Sequence, residues 1–390
     1  MDFTRKLSFL VFMLCVLISL KNQNAETNKK SLFQSAGKSV SDSSLVRIDT
    51  FATRKIQEHR VVIETLKYDY YNESCPLAEQ IIRSSVQELQ ELRHNVAPAL
   101  LRLVFHDCFV EGCDASILLD PADDIESEKD SPPNESLKGF DLIDIIKSDI
   151  EAACPGIVSC ADIVALAARE SVLLAGGPFY PVLTGRKDST MSFLDIATSE
   201  LPSPQDDLSK TIEAFGSRGF NEREIVSLLG AHSTGTIHCK FFSDRLYNFS
   251  GTNRPDPSID TNFLNILRSI CNNNQSISSS KLSSTSSSST ASPHNESSAL
   301  NDGPGMQMDY EGPGTGFGTL YYRSLLRGKG LLFVDQQLTV GEETATWVRA
   351  YAADTSLFQG DFGHAMIKLS NFRVLTAPMG QVRLNCRKVN

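Results

Sequence analysis

The cysteines are the feature that most constrains what this chain of 390 residues can fold into. Eight of its nine cysteines lie between positions 75 and 386, whereas Cys15 lies in the amino-terminal segment. There, Arg5 and Lys6 precede an uncharged apolar run, Leu7 to Leu20. This pattern is typical of a secretory signal peptide, and the run is too short to span a bilayer comfortably. Because an even number of cysteines in an oxidising compartment favours disulfides, the sequence predicts a secreted, disulfide-bonded protein.

The remaining sequence divides by composition. We expect residues 1–25 to form the signal peptide, with an uncleaved amino-terminal anchor as the alternative. Residues 26–65 are polar and lack periodicity, which predicts a disordered leader. Residues 66–390 carry the globular pattern, interrupted by an insertion at 272–303. In that insertion 13 of the 23 residues from Ser276 to Ser298 are serine, so it buries too little apolar surface to fold.

Composition and charge exclude several classes of protein. Hydrophobic residues make up 41% of the chain and charged residues 22%, which is ordinary for a globular protein and excludes wholesale disorder or a polytopic membrane protein. The net charge of −10 argues against nucleic acid as a partner. Five Asn-x-Ser sequons fit a secreted glycoprotein: Asn72, Asn134, Asn248, Asn274 and Asn295.

Apolar residues recur mostly at helical spacing, and alternating strand patterns are scarce. The pattern therefore predicts a mainly α fold. The predicted helices cover residues 77–92, 97–109, 140–153, 159–174, 208–215, 222–230, 261–271, 319–326 and 345–351.

Arg102 and His106 are the first candidate catalytic pair. They are four residues apart on a predicted helix, so both side chains point into the same space, flanked by Phe105 and Phe109. A base beside a fixed cation can take a proton from a substrate while the cation stabilises the negative charge that develops. The structural alternative is a surface arginine next to a hydrogen-bonded core histidine.

The next residues predict a metal site. Asp107, Asp114 and Ser116 surround a tight loop between Cys108 and Cys113, and hard oxygen ligands at this density suit Ca²⁺. The alternative is a Zn²⁺ site in which the two cysteines bind the metal with the neighbouring histidine as a third ligand. The secretory context favours a disulfide.

His232 is a second candidate metal ligand. It follows the apolar residues of the predicted helix at 222–230 with helical spacing, which places it on the buried face. A core histidine with one hydrogen bond is the structural alternative. An axial metal ligand needs an acceptor for its second ring nitrogen, and Asp335, in an apolar neighbourhood, can serve.

The segment from Arg102 to Ser116 strongly resembles the distal haem segment of class III secretory plant peroxidases. The resemblance covers about residues 67–390, apart from the serine-rich insertion. It implies a two-lobed helical fold with haem between distal and proximal helices. Further similar motifs follow in chain order: Glu128-Lys-Asp, Pro133-Asn134, Val158-Ser-Cys-Ala-Asp162, Gly185-Arg-Lys-Asp188, Leu201-Pro-Ser-Pro204, Leu229-Gly-Ala-His232, Asp244-Arg-Leu-Tyr-Asn248 and Gly380-Gln-Val-Arg-Leu-Asn-Cys386.

On the distal side, the resemblance implies that His106 is the acid/base and that Arg102 is the cation that stabilises the transition state. Asn134 would hold His106 in its basic tautomer and would itself be backed by Glu128. Asn134 also lies in a glycosylation sequon, which conflicts with a buried role. We expect Asn134 to be buried and unglycosylated, because a glycan would block the pocket. Pro202 would lie at the entrance for aromatic substrates.

On the proximal side, the resemblance implies that His232 is the axial ligand of haem b and that Asp335 is its acceptor. A second Ca²⁺ site would use Ser233 and Asp309, but glycines replace an expected hydroxyl and carboxylate there, so we expect it to be weak or empty. The distal Ca²⁺ would be bound by Asp107, Val110, Gly112, Asp114 and Ser116, with carbonyls from Val110 and Gly112. The implied disulfides are Cys75–Cys154, Cys108–Cys113, Cys160–Cys386 and Cys239–Cys271.

The function that follows from the resemblance is a secreted haem peroxidase. It would reduce H₂O₂ and oxidise phenolic donors by one electron, in cell-wall phenolic or lignin-type oxidation, peroxide removal or the oxidative stress response. We expect a monomer in the apoplast or cell wall, with the vacuole as an alternative. The alternative functions are a haem- or Ca²⁺-binding extracellular protein with little turnover and a disulfide-rich interaction module without haem.

Overall fold

The computed structural model describes residues 65–273, 303–308 and 317–390. The predicted signal peptide, nearly all of the leader and most of the serine-rich insertion lie outside the described residues. The described chain is mostly helical. Its helices are α1 (Ala78–Leu92), α2 (Val96–Phe109), α3 (Phe140–Ala153), α4 (Cys160–Leu174), α5 (Leu194–Glu200), α6 (Leu208–Gly216), α7 (Glu222–Leu229), α8 (Ser243–Tyr247), α9 (Thr261–Asn273), α10 (Leu320–Leu325), α11 (Phe333–Gln337), α12 (Glu342–Ala353) and α13 (Thr355–Ser370).

The helices pack in two groups, as a two-lobed helical fold requires. In the first group α2 packs on α4, and α1 packs on α3 and α4. In the second group α7 packs against α12 and α13, and α10 packs against α12. Helix α13 also contacts α2 and joins the groups. Strands β1 (Thr236–His238) and β2 (Gly305–Gln307) form a small antiparallel pair.

The described chain contains four disulfides, and three of them link parts that are distant in sequence. Cys160–Cys386 spans 226 residues and ties the carboxyl-terminal segment to the start of α4. Because Cys108 and Cys113 form a disulfide, neither sulfur is free to bind Zn²⁺. The pairs are the ones that the resemblance implies: Cys75–Cys154, Cys108–Cys113, Cys160–Cys386 and Cys239–Cys271.

Helix α13 is the longest element that the apolar pattern did not predict. Gly360 and Gly363 interrupt its sequence, and glycine in a helix interior is unfavourable by about 1 kcal/mol relative to alanine. The helix forms because Asp354 caps its first turn and because Phe358 and Phe362 are fully buried. Tertiary packing therefore outweighs local propensity here. Shorter helices α5, α8 and α11 were also not predicted.

The predicted helix at 222–230 does not continue to His232, and this corrects the expectation that His232 lies on a buried helical face. Helix α7 ends at Leu229, and Gly230–Ser233 forms a 3₁₀ turn. A Cβ on Gly230 would lie 2.3 Å from the Tyr322 hydroxyl oxygen, so close packing requires glycine there. The turn rotates the His232 side chain, which remains 35% exposed. No helix in the described parts of the chain is long and apolar enough to cross a membrane.

A fully buried ion pair connects the two helix groups. The Arg186 guanidinium lies 2.8 Å from the Asp162 carboxylate, and both side chains are completely inaccessible to solvent. Asp162 also accepts a hydrogen bond from the Tyr71 hydroxyl at 2.7 Å. Arg186 donates from Nε to the carbonyl of Ser370, at the end of α13. Each charge therefore has several hydrogen-bonding partners, as a buried charge needs.

We expect Asp162→Asn to lower the free energy of unfolding by about 3–5 kcal/mol, because Arg186 would keep a buried charge without its counter-ion. Asp141→Asn is the matched control, since Asp141 pairs with Arg93 at the surface, and its expected cost is below about 1 kcal/mol. Urea unfolding followed by circular dichroism measures both. Equal losses in the two variants would contradict the role given to the buried pair.

Candidate active site

Helix α2 carries Arg102 and His106 on one face, as the sequence predicts. Arg102 Nε lies 3.1 Å from His106 Nε2 and donates to it. The guanidinium also donates from Nη1 to Ser136 Oγ at 3.0 Å and from Nη2 to the Pro133 carbonyl at 3.0 Å. The 3₁₀ turn at Pro132–Asn134 and the loop after it therefore hold the cation against the histidine.

Asn134 determines which nitrogen of His106 carries the proton. His106 Nδ1 lies 2.6 Å from Asn134 Oδ1, and Asn134 Nδ2 donates to the Glu128 carbonyl at 2.8 Å. The carbonyl can only accept, so the amide oxygen faces His106, and Nδ1 must be the donor. Nε2 therefore carries the ring's lone pair, which accepts the hydrogen bond from Arg102 Nε. Asn134 is 2% exposed with both amide atoms engaged, which does not suit a glycan.

Burial keeps the His106 imidazole neutral. Burial and, to a lesser extent, the Arg102 charge lower the pKa of His106, the Asn134 hydrogen bond offsets part of this, and the resulting pKa is about 3. Burial also lowers the pKa of Arg102 to about 10, which leaves it a cation at neutral pH. The arrangement is therefore a neutral base beside a permanent cation.

Aromatic rings line the same region. The Phe105 ring lies 5.9 Å from the His106 ring and 4.8 Å from the Phe109 ring, between centroids. Phe215 packs against both phenylalanines. These rings limit the access of water to the base, so electrostatic interactions at the pair are stronger than at the surface.

His232 and Asp335 form a second hydrogen-bonded pair. His232 Nδ1 lies 2.8 Å from Asp335 Oδ1, and Asp335, on α11, is fully buried. Burial by itself lowers the pKa of His232, but the charge and hydrogen bond of Asp335 outweigh it, and the pKa is raised. The ring's exposure leaves Nε2 accessible. A basic imidazole oriented by a carboxylate fits the axial ligand of a haem iron.

Tyr321 is a member of the site that the sequence reasoning missed. Its hydroxyl donates to Asp335 Oδ1 at 2.8 Å, so one carboxylate oxygen serves both Tyr321 and His232. The only signal in the sequence was the Tyr321-Tyr322 pair, which served as a landmark for the proximal loop. No pattern links it to a carboxylate fourteen residues later.

The loop after His106 has the properties of a cation site. Asp107 Oδ1 and Ser116 Oγ are buried without a hydrogen-bond partner. Burial, together with the neighbouring Asp114 carboxylate, raises the pKa of Asp107 well above its usual range. Arg383 faces these carboxylates but donates to the Ala115 carbonyl. Buried oxygens with excess negative charge fit Ca²⁺.

The other predicted residues are only partly described. Val110 and Gly112 lie in the same disulfide loop, and Gly112 has a φ of +123° that favours glycine. Ser233 Oγ is buried without a hydrogen-bond partner, whereas Asp309 lies outside the described residues. Pro202 lines a surface cavity of about 710 Å³, which Phe109 also lines, although none of Arg102, His106 and His232 does.

Comparisons with known proteins agree with this geometry. A protein-family model described as "Peroxidase" matches residues 82–354. Peroxidase 48 of Arabidopsis thaliana is 51% identical over 332 residues, which are 83% of this chain and 82% of that protein. Peroxidase 23 of Arabidopsis thaliana is 43% identical, with 83% and 87% covered, and Peroxidase 5 of Vitis vinifera is 39% identical, with 83% and 92% covered. The match covers the globular part of the sequence, and the helical fold and the four disulfides agree with it. The chain therefore belongs to the class III plant peroxidases and is a haem peroxidase.

Proposed function

We propose that this enzyme is secreted and uses haem b and H₂O₂ to take single electrons from small phenolic donors. Oxidation of cell-wall phenolics, peroxide removal and a part in the oxidative stress response would follow from that chemistry. The observation that carries the proposal is the hydrogen-bonded chain Arg102–His106–Asn134, which presents a neutral base beside a cation. A binding protein with little turnover has no need for this arrangement.

The distal residues would move one proton. Haem, when bound, supplies the redox chemistry that reduces H₂O₂ and oxidises the donor. His106 Nε2 would accept a proton from one oxygen of H₂O₂ and deliver it to the other, which leaves as water. Arg102 would stabilise the negative charge on the leaving oxygen. Asn134 would keep the Nδ1 proton in place, so that Nε2 stays available.

The proximal residues would set the donor strength of the axial ligand. His232 Nε2 would bind the iron, and Asp335 would hold the Nδ1 proton and increase the basicity of the ring. Tyr321 donates to the same carboxylate oxygen and so reduces its negative charge. The strength of the ligand would therefore depend on all three residues.

One Ca²⁺ would bind in the disulfide loop, through the side chains of Asp107, Asp114 and Ser116 and the carbonyls of Val110 and Gly112. A second site, at Ser233 and Asp309, would be weak or empty. We further propose that residues 1–25 direct secretion and that 66–390 act as a monomer in the apoplast or cell wall. The vacuole is the alternative location. The four disulfides support an oxidising compartment.

We expect His106→Ala to slow the reaction with H₂O₂ by about 10²–10⁴-fold, the usual contribution of a general acid/base, while haem stays bound. Stopped-flow absorption of the Soret band and steady-state guaiacol oxidation measure the loss. His364→Ala is the matched control, because His364 is exposed on α13. Unchanged turnover in His106→Ala would refute the role assigned to His106.

The depressed pKa of His106 predicts the acid limb of the rate profile. His106 acts as a base only when neutral, so the rate constant for H₂O₂ should stay level below pH 6 and fall as the pH approaches about 3. Stopped-flow measurements across this range test it, and recovery at pH 7 separates titration from unfolding. A midpoint near 6.5, the ordinary value for histidine, would show that the pocket does not depress the pKa.

We expect calorimetric titration of the metal-depleted protein to show one tight Ca²⁺ site. Asp107→Asn should weaken it by about tenfold or more, because the number of charged ligands sets Ca²⁺ affinity. Glu111→Gln is the control, since Glu111 lies in the same loop but pairs with Arg373 near the surface. Two sites of similar affinity, or equal effects of the two substitutions, would contradict this assignment.

A further inference from the structure

A row of aromatic side chains leads from the proximal carboxylate toward the surface. Tyr321, which donates to Asp335, has its ring centroid 4.9 Å from that of Tyr322. Tyr322 lies 5.2 Å from Tyr351, and Tyr351 lies 5.9 Å from Trp347. The three tyrosines are buried, whereas Trp347 is partly exposed on α12. The row is therefore continuous from His232 and Asp335 to solvent.

Two of the tyrosines have a proton acceptor in place. Tyr321 donates to Asp335 Oδ1 at 2.8 Å, and Tyr351 donates to Asp361 Oδ2 at 2.6 Å. A phenol that loses an electron becomes a strong acid, so a hydrogen-bonded carboxylate lowers the energy of its oxidation. Tyr322 donates to the carbonyl of Val226, which is a poor proton acceptor, so its ring serves as a bridge.

The outer end of the row is chemically distinct. Trp347 is the single tryptophan of the chain. The Arg223 guanidinium lies 4.3 Å from its ring centroid and pairs with Asp361 at 2.8 Å. A cation above the ring disfavours positive charge on the indole. An oxidised Trp347 is therefore a strong oxidant at a position that large molecules can reach.

We propose that Tyr321, Tyr351 and Trp347 carry single electrons inward, giving the enzyme a second oxidation site at Trp347 for polymer-bound phenols too large to approach His106. The proposal rests on the proposed oxidation of phenolic donors. The electron path runs from Trp347 through the tyrosines to Asp335 and His232.

The electron balance uses the oxidant that the peroxidase reaction already supplies. One H₂O₂ takes two electrons and two protons and leaves as two waters. Each electron comes from a separate phenol, which loses its hydroxyl proton to solvent and departs as a neutral radical. Within the row, Tyr321 and Tyr351 each transfer the hydroxyl proton to the hydrogen-bonded carboxylate on oxidation and regain it when the next electron arrives from Trp347.

The first test locates the radicals. The haem-loaded enzyme is mixed with H₂O₂ and the trap 2-methyl-2-nitrosopropane, and the adducts are mapped by peptide mass spectrometry. We expect an adduct on Trp347 that falls severalfold in Tyr351→Phe, which retains the ring but lacks the phenol. Tyr247→Phe is the control. Tyr247 is an exposed tyrosine with an arginine over its ring, as Trp347 has, but its hydroxyl donates to an amide oxygen and not to a carboxylate. Full labelling of Trp347 in Tyr351→Phe would overturn the route.

The second test uses a phenolic donor that is too large to approach His106. Phenol tethered to a dextran is compared with guaiacol, each with H₂O₂. We expect Trp347→Phe to lose most oxidation of the tethered phenol and to retain guaiacol oxidation. Equal retention of both would overturn the second site while leaving the proposed function intact. Absence of guaiacol turnover in the unmodified enzyme would overturn the proposed function and the route with it.

Discussion

The buried Asp335 carboxylate is the constraint on which the proximal half of the molecule depends. It is fully inaccessible to solvent, so its charge must be compensated by hydrogen bonds from the protein. His232 and Tyr321 supply them, from a 3₁₀ turn after α7 and from α10. One carboxylate therefore fixes the relative positions of three segments and the orientation of an imidazole.

The distal half depends on a comparable chain that also reaches the cation site. Asn134 orients His106 and is held by the carbonyl of Glu128. The Glu128 side chain is buried beside Ser116, and burial raises its pKa to about 7. The segment that holds the Asn134 amide is thus also part of the wall of the proposed cation site. Two hydrogen-bonded residues, Glu128 and Asn134, connect that site to His106.

Local sequence patterns predicted the parts of the site that are local. Arg102 and His106 are one helical turn apart, so their proximity follows from helix geometry. His232 and Asp335 are 103 residues apart. The residues alone offered Asp335 only as a candidate acceptor, and the family resemblance paired it with His232. Helical periodicity extended the helical spacing to His232, whereas a 3₁₀ turn at Gly230–Ser233 replaces the last turn of the helix. Tyr321 and α13 depend on long-range packing and carried no recognisable signal.

The burial of Asn134 has a consequence for how the active enzyme is made. Its sequon, Asn134-Glu-Ser136, is accessible to the glycosylation machinery only while this segment is unfolded. After folding, the amide is engaged on both sides, and Arg102 contacts the last residue of the same sequon. A chain that receives a glycan there cannot assemble the catalytic centre. In the secretory compartment that the proposed function requires, closure of this turn therefore protects Asn134 from modification.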